Sequence, residues 1–132
     1  MDPTPKKILV ADDEPTLLQL VAFNLRLEGY AVITAQNGLE AIEKAQREGP
    51  DLVVLDVMMP QLDGFDVLQA LKNHPATQSI PVILLTALSD DGNVVRGWDQ
   101  EVDCYLTKPF DPAELLSMVR RLIEVREAHR CL

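Results

Sequence analysis

The sequence has few of the residues that mark disulfide-rich, metal-thiolate or membrane proteins. Only two cysteines occur in 132 residues, Cys104 and Cys131, and their spacing fits neither a metal site nor a disulfide framework. No apolar run approaches the roughly 20 residues of a membrane span. The first apolar run ends at Ala11, where acids follow, which does not fit a signal peptide. The composition therefore favours a cytoplasmic protein with no membrane association.

Positive charge is also scarce. Twelve lysines and arginines stand against 21 acids, and the net charge is −9. Such a chain offers no basic stripe to offset phosphate repulsion, so direct nucleic-acid binding by this domain is not expected. The apolar fraction of 47% and the charged fraction of 25% fit a globular fold. A chain of 132 residues is long enough to bury one sound core.

Short apolar runs alternate with helical patterns along the whole chain, which predicts a parallel sheet covered on both faces. The runs at 8–11, 52–56 and 82–87 are apolar throughout, as strands buried on both faces should be. The fourth helical segment is weak because Gly92 and Gly97 interrupt it. The predicted strands are 8–11, 31–35, 52–56, 82–87 and 104–107, and the predicted helices are 17–29, 39–49, 65–73, 91–99 and 114–128.

Polar residues follow the predicted strands at the point where each strand ends. The first strand is followed by Asp12 and Asp13, and the third ends in Asp56. Thr86 lies near the end of the fourth strand and Lys108 follows the fifth. Ligands of open α/β sheets bind beyond the carboxyl ends of the strands. These side chains are therefore expected at a single edge of the sheet.

Each of these residues also has an ordinary structural interpretation. Asp12 or Asp13 could cap the first helix, Thr86 could be a strand residue, and Lys108 could simply pair with Asp56. Their joint arrival at one edge favours a chemical site. Clustered carboxylates need a cation, and oxygen ligands with waters suit Mg²⁺. A lysine suits a phosphoryl group, and an aspartate can form an aspartyl-phosphate.

Four motifs carry a resemblance to a known family. ILVADDEP, PDLVVLDVMMPQLDGFDVL, PVILLTAL and YLTKPF resemble the receiver domain of bacterial two-component response regulators, in the family's order and near its spacings. The match covers about residues 6–128, so a single receiver domain is expected over 1–132. The resemblance implies an α/β fold, a flavodoxin-like doubly wound (βα)5 sandwich with strand order 2-1-3-4-5.

The resemblance also implies a metal site. Asp13 and Asp56 resemble direct Mg²⁺ ligands, and Asp12 resembles a residue that acts through water. The backbone carbonyl of Met58 resembles the remaining protein ligand. Gly64 fits the tight turn that follows Asp63 in the same loop.

The same resemblance assigns the phosphoryl chemistry. Asp56 resembles the phosphoacceptor, which would become 4-aspartylphosphate, and Thr86 and Lys108 resemble the pair that contacts the phosphoryl group. Tyr105 resembles the aromatic residue that turns inward when the threonine moves. The Lys108–Pro109 bond is expected to be cis.

A signalling function follows from the resemblance. The domain is expected to accept a phosphoryl group from a sensor histidine kinase or a phosphotransfer protein, to change conformation at the fourth helix, last strand and last helix, and to reset by hydrolysis. It would catalyse only its own phosphotransfer and dephosphorylation. Output would pass to a downstream protein partner or to an output domain outside this chain. The arginines of the last helix are expected to form a solvated face: Arg120, Arg121, Arg126 and Arg130.

Three alternative functions fit the chain less well. An aspartate-nucleophile phosphohydrolase typically has a second Asp where this chain has Met58. Flavin binding would need a phosphate-cradling loop where this chain has the charged run DDEP. A pseudo-receiver that acts only by protein interaction stays open. Departures from the family pattern fall before the last strand, where Glu101 and Val102 replace a common Gly-Ala pair and Trp98 is unusual.

Overall fold

A computed structural model describes residues 5–87 and 104–130 of the chain. The predicted helix at 91–99, Trp98 and the Glu101–Val102 departure lie outside these residues. The strands are β1 (Lys7–Ala11), β2 (Ala31–Ala35), β3 (Leu52–Asp56), β4 (Val82–Ala87) and β5 (Cys104–Lys108). The helices are α1 (Pro15–Leu27), α2 (Gly38–Glu48), α3 (Gly64–Lys72) and a C-terminal helix (Pro112–Arg130).

The five strands form one parallel sheet in the order β2-β1-β3-β4-β5. The three strands predicted to be buried on both faces, β1, β3 and β4, are the three central ones. The doubly wound α/β prediction is therefore confirmed. The register places Asp56 beside Leu85 and Ala87 beside Lys108, so the ends of β3, β4 and β5 lie together at one edge.

Alternate residues of the central strands enter two separate cores, because successive side chains of a strand point to opposite faces. On one face Leu9, Val53 and Leu84 are buried with residues of α2 and α3. On the other face Ile8 and Val54 are buried with residues of α1 and the C-terminal helix. Both faces of the central strands are covered, which explains why these strands are apolar at nearly every position.

Local signals set the helix ends. Pro15 opens α1, two residues before the predicted 17, and Gly49 closes α2 in a left-handed conformation with φ 58°. Asn37 caps α2 by accepting a hydrogen bond from the Glu40 N–H at 2.8 Å. At α3, Asp63 forms a reciprocal capping box with the third residue of the helix. These caps start α2 and α3 one residue before the predicted 39 and 65.

The C-terminal helix is anchored at the edge of the sheet where the strands begin, opposite to the edge that carries Asp56 and Lys108. Arg126 Nη1 donates to the Asp51 carbonyl at 2.9 Å and lies 3.4 Å from Asp51 Oδ1. The other carboxylate oxygen of Asp51 accepts the Lys7 N–H at 2.8 Å. The expected solvated arginine face is therefore wrong for Arg126, whose side chain is 22% exposed. Within the described residues no helix is long and apolar enough to cross a membrane.

Replacing Arg126 by Ala is expected to lower the free energy of unfolding by about 1–2 kcal/mol. The half-buried carbonyl and carboxylate of Asp51 would lose a charge-assisted donor. Urea denaturation measures this change. Arg47→Ala is the control, because the Arg47 side chain is 66% exposed and pairs with its sequence neighbour Glu48. A loss of about 0.5 kcal/mol or less is expected there, and equal losses in both variants would contradict the proposed anchor.

Candidate functional site

Asp12 and Asp13, the first two acids of the site, follow β1 and differ in their exposure to solvent. The Asp12 N–H donates to the Ala35 carbonyl at 3.1 Å, which continues the sheet by one residue. Its Oδ1 accepts the Glu14 N–H at 2.9 Å, so Asp12 also shapes the turn into α1. Asp12 is buried and Asp13 is exposed. One carboxylate is thus held rigidly beneath the surface while its neighbour faces solvent.

Asp56 occupies the last position of β3 and is only 4% exposed. The N–H of Val57 donates to the Leu85 carbonyl at 3.0 Å, so the strand is held beyond the acid. Asp56 Oδ1 accepts the Met58 N–H at 3.3 Å. The Met58 side chain is exposed. Asp56 therefore points out of the sheet edge from a fixed backbone.

The three carboxylates form one cluster at the sheet edge. Asp12, Asp13 and Asp56 each offer a ligand oxygen, and these oxygens lie within 4.8 Å of one another. Two of the three are buried, so their mutual repulsion is weakly screened. An oxygen-lined, partly open cluster of this kind fits a hard divalent cation that keeps several waters, such as Mg²⁺.

Lys108 supplies the positive charge that the protein itself brings to this cluster. Its Nζ lies 3.1 Å from Asp56 Oδ1 and 3.5 Å from Asp12 Oδ2. Burial and the charge of Asp12 raise the pKa of Asp56 from 3.8 to about 6, although Lys108 opposes the shift. Burial alone would lower the pKa of Lys108, but Asp56 and Asp12 outweigh it and the pKa is raised. Among the described residues, one lysine lies between two buried carboxylates, so this group carries excess negative charge.

Thr86 and Tyr105 are placed by the sheet register. Thr86 is 2% exposed and lies one residue beyond Leu85, the β4 partner of Asp56. Tyr105 lies three residues before Lys108 in β5 and packs partly buried against the α2–α3 core. Its hydroxyl is buried with no hydrogen-bond partner among the residues that the structure describes. The switch role of the pair stays a prediction. The Lys108–Pro109 bond is cis, as expected.

Gly64 has a role at the site beyond the turn that the sequence suggested. A Cβ at this position would lie 2.7 Å from the Asp56 carbonyl oxygen and 2.9 Å from Val57 Cα. Its N–H donates to the Val57 carbonyl at 2.9 Å. The first turn of α3 is therefore packed directly on the backbone of Asp56. A glycine immediately after a capping aspartate was the only sequence signal of this contact.

Comparison with known proteins identifies the family. A model described as the response regulator receiver domain matches residues 8–120. The chain belongs to the receiver domain family of response regulators, and this is a signalling domain of two-component systems.

Two curated relatives are longer than this chain. The alkaline phosphatase synthesis transcriptional regulatory protein PhoP of Bacillus subtilis is 43% identical over 122 residues, which cover 92% of this chain and 50% of that protein. The DNA-binding dual master transcriptional regulator RpaA of Synechocystis is 44% identical over 117 residues, which cover 89% of this chain and 48% of that protein. The chain thus spans about half the length of the curated relatives it matches.

A solved structure resembles the fold over nearly its whole length. The receiver domain of the sensor histidine kinase PA1611 from Pseudomonas aeruginosa superposes with a TM-score of 0.85 and is 29% identical. The match covers 92% of this chain and 99% of that one. The PA1611 structure contains a magnesium ion coordinated in its active-site cleft.

The raised pKa of Asp56 predicts a specific pH dependence of stability in the absence of Mg²⁺. Between about pH 4 and 6 the folded protein keeps a proton on Asp56 that the unfolded chain releases. The free energy of unfolding therefore falls as pH rises through this window, by about 2–3 kcal/mol, and levels off above it. Denaturation of the wild type in EDTA should show this fall relative to Asp56→Asn. Parallel pH profiles for the two proteins would contradict it.

Proposed function

We propose that this domain is a phosphorylation-dependent switch in which Asp56 accepts a phosphoryl group. The observation that carries the proposal is the position of Asp56, whose buried carboxylate lies 3.1 Å from Lys108 and beside two further acids at the sheet edge. Family membership supports the same function.

Mg²⁺ fits the acidic side of the site. Asp13, Asp56 and the Met58 backbone carbonyl would hold it directly, and Asp12 would act through water. When bound, Mg²⁺ neutralises negative charge on the transferring phosphoryl group. The carboxylate cluster and the negative charge that raises the pKa of Asp56 support a cation at this position.

The transfer step uses Asp56 as the nucleophile. A carboxylate oxygen of Asp56 attacks phosphorus, and the bond from phosphorus to the donor histidine nitrogen breaks with its electron pair on the imidazole. Lys108 initially pairs with the Asp56 carboxylate and then with an oxygen of the attached phosphoryl group. The switch is reset by hydrolysis. Water attacks phosphorus, the bond from phosphorus to the Asp56 oxygen breaks, and phosphate leaves while the Asp56 carboxylate is restored. The domain catalyses only these two reactions of its own side chain.

The conformational response would start at Thr86. Its hydroxyl would donate to a phosphoryl oxygen, and Tyr105 would turn further into the space beside it. Thr86 pairs in the register with Thr107, which lies two residues past Tyr105 in β5. This short connection would carry the change to β5 and the C-terminal helix, together with the segment at 91–99.

The partners follow from this chemistry. The donor would be a sensor histidine kinase or a phosphotransfer protein, and the domain would operate in the cytoplasm. Output would pass to a protein partner or to an output domain, which the greater length of the curated relatives supports. With a net charge of −9 over residues 1–132, this single domain would not itself contact nucleic acid.

Acetyl phosphate with Mg²⁺ tests the proposal. Intact-mass spectrometry is expected to show one added phosphoryl group on the wild type and none on Asp56→Asn or on the wild type in EDTA. Lys108→Gln is expected to accept the group about a hundredfold more slowly, because the developing charge loses its nearby cation.

The negative outcome is equally specific. A wild type that takes up no phosphoryl group and does not respond to beryllofluoride would contradict a switch and favour a pseudo-receiver that acts by protein interaction. Uptake by Asp56→Asn equal to that of the wild type would place the acceptor elsewhere.

A further inference from the structure

Gly38, the first residue of α2, lies against the loop that follows Asp56. The β3–α3 loop (residues 57–63) carries the Met58 carbonyl and returns the chain to α3. A Cβ at Gly38 would lie 2.7 Å from both Cβ and the carbonyl oxygen of Leu62, and 2.8 Å from Val67 Cγ2. The Leu62 atoms include backbone, which cannot swing away as a flexible side-chain end could.

The helix itself gives no reason for a glycine at this position. Asn37 caps α2, and Gly38 does not have the positive φ that glycine alone tolerates easily. Alanine stabilises helices relative to glycine. Without the neighbouring loop, Gly38→Ala would strengthen α2. The absent side chain therefore serves the contact with Leu62.

The β3–α3 loop has little freedom to absorb a displacement of Leu62. Gln61 has a φ of 69°, an uncommon conformation for a residue with a side chain. The Leu62 N–H donates to the Pro60 carbonyl at 2.8 Å. At the other end, the Val57 carbonyl accepts the N–H groups of Met59 at 3.2 Å and Gly64 at 2.9 Å.

Two close contacts at glycines thus hold the loop at both ends. Gly64 packs on the backbone of Asp56 and Val57, and Gly38 packs on Leu62. Met58 lies between them, and its N–H bonds to Asp56 Oδ1 at 3.3 Å. We infer that Gly38 is a positioning residue for the metal site, because it lets the start of α2 hold the β3–α3 loop where the Met58 carbonyl can serve as a ligand.

The inference rests on the proposed Mg²⁺ site and is tested by metal affinity in the full chain. Gly38→Ala is expected to raise the Mg²⁺ dissociation constant about tenfold, as loss of support behind a metal ligand does. Isothermal titration calorimetry measures the constant. Hydrogen exchange in EDTA is expected to be faster for the amides of residues 57–59, 61 and 62 in the variant than in the wild type.

Gly49→Ala is the matched control. Gly49 ends the same helix with φ 58°, and a Cβ there would have no neighbour within 4 Å, so alanine strains the backbone without touching another residue. This variant should be less stable yet bind Mg²⁺ as the wild type does. Leu62→Ala supplies a second probe. It keeps the Cβ and the carbonyl oxygen that face Gly38 but removes the rest of the side chain, which packs the loop against the core beneath α2 and α3. It should weaken Mg²⁺ binding in the same direction.

The outcomes separate the two proposals. A wild type that binds no Mg²⁺ would overturn the metal site and this inference together. A wild type that binds Mg²⁺, with an unchanged dissociation constant in a folded Gly38→Ala variant, would overturn the inference alone. If Gly38→Ala does not fold, an unchanged constant in Leu62→Ala would overturn it. An equal rise in Gly49→Ala and Gly38→Ala would also overturn it, because the effect would then follow from lost stability.

Discussion

The ion pair between Asp56 and Lys108 joins the ends of β3 and β5 across β4. A carboxylate that is 4% exposed costs free energy unless a cation meets it. Lys108 reaches it at 3.1 Å only because the β3–β4–β5 register brings Lys108 to the same edge as the end of β3. Asp12 then adds a second negative charge that one lysine cannot balance. The sheet order and the depth of Asp12 both bear on this arrangement.

That imbalance is consistent with the chemistry proposed for the site. Burial and Asp12 raise the pKa of Asp56, so a bound cation would favour the ionised carboxylate that phosphoryl transfer needs. The fold thus keeps a buried acid at this edge whose charge Lys108 compensates only in part. The opposite end of the sheet shows the contrasting case, where Asp51 is matched by Arg126 and the Lys7 N–H and serves stability.

Several features could be predicted from single residues and their neighbours along the chain. The apolar runs of β1, β3 and β4 identified the central strands, and the acids and lysine after the strands identified the site. The strand order came from family resemblance, since alternating strands and helices allow other orders. The Arg126 anchor could not be predicted because its partner, Asp51, lies 75 residues away. The close approaches of Gly38 and Gly64 were hidden for the same reason, since an absent side chain gives no pattern in the sequence.

The sequence by itself determined the alternation of strands and helices, the edge at which the polar residues emerge, and the residue types available there. Those properties depend on periodicity and on short-range capping, which act within a few residues. The tertiary structure alone decided which charges meet and at what distance. It also decided which positions have no room for a side chain and must be glycine. The close contacts at Gly38 and Gly64 depend on how β3, α2 and α3 pack once the strands have their order and register.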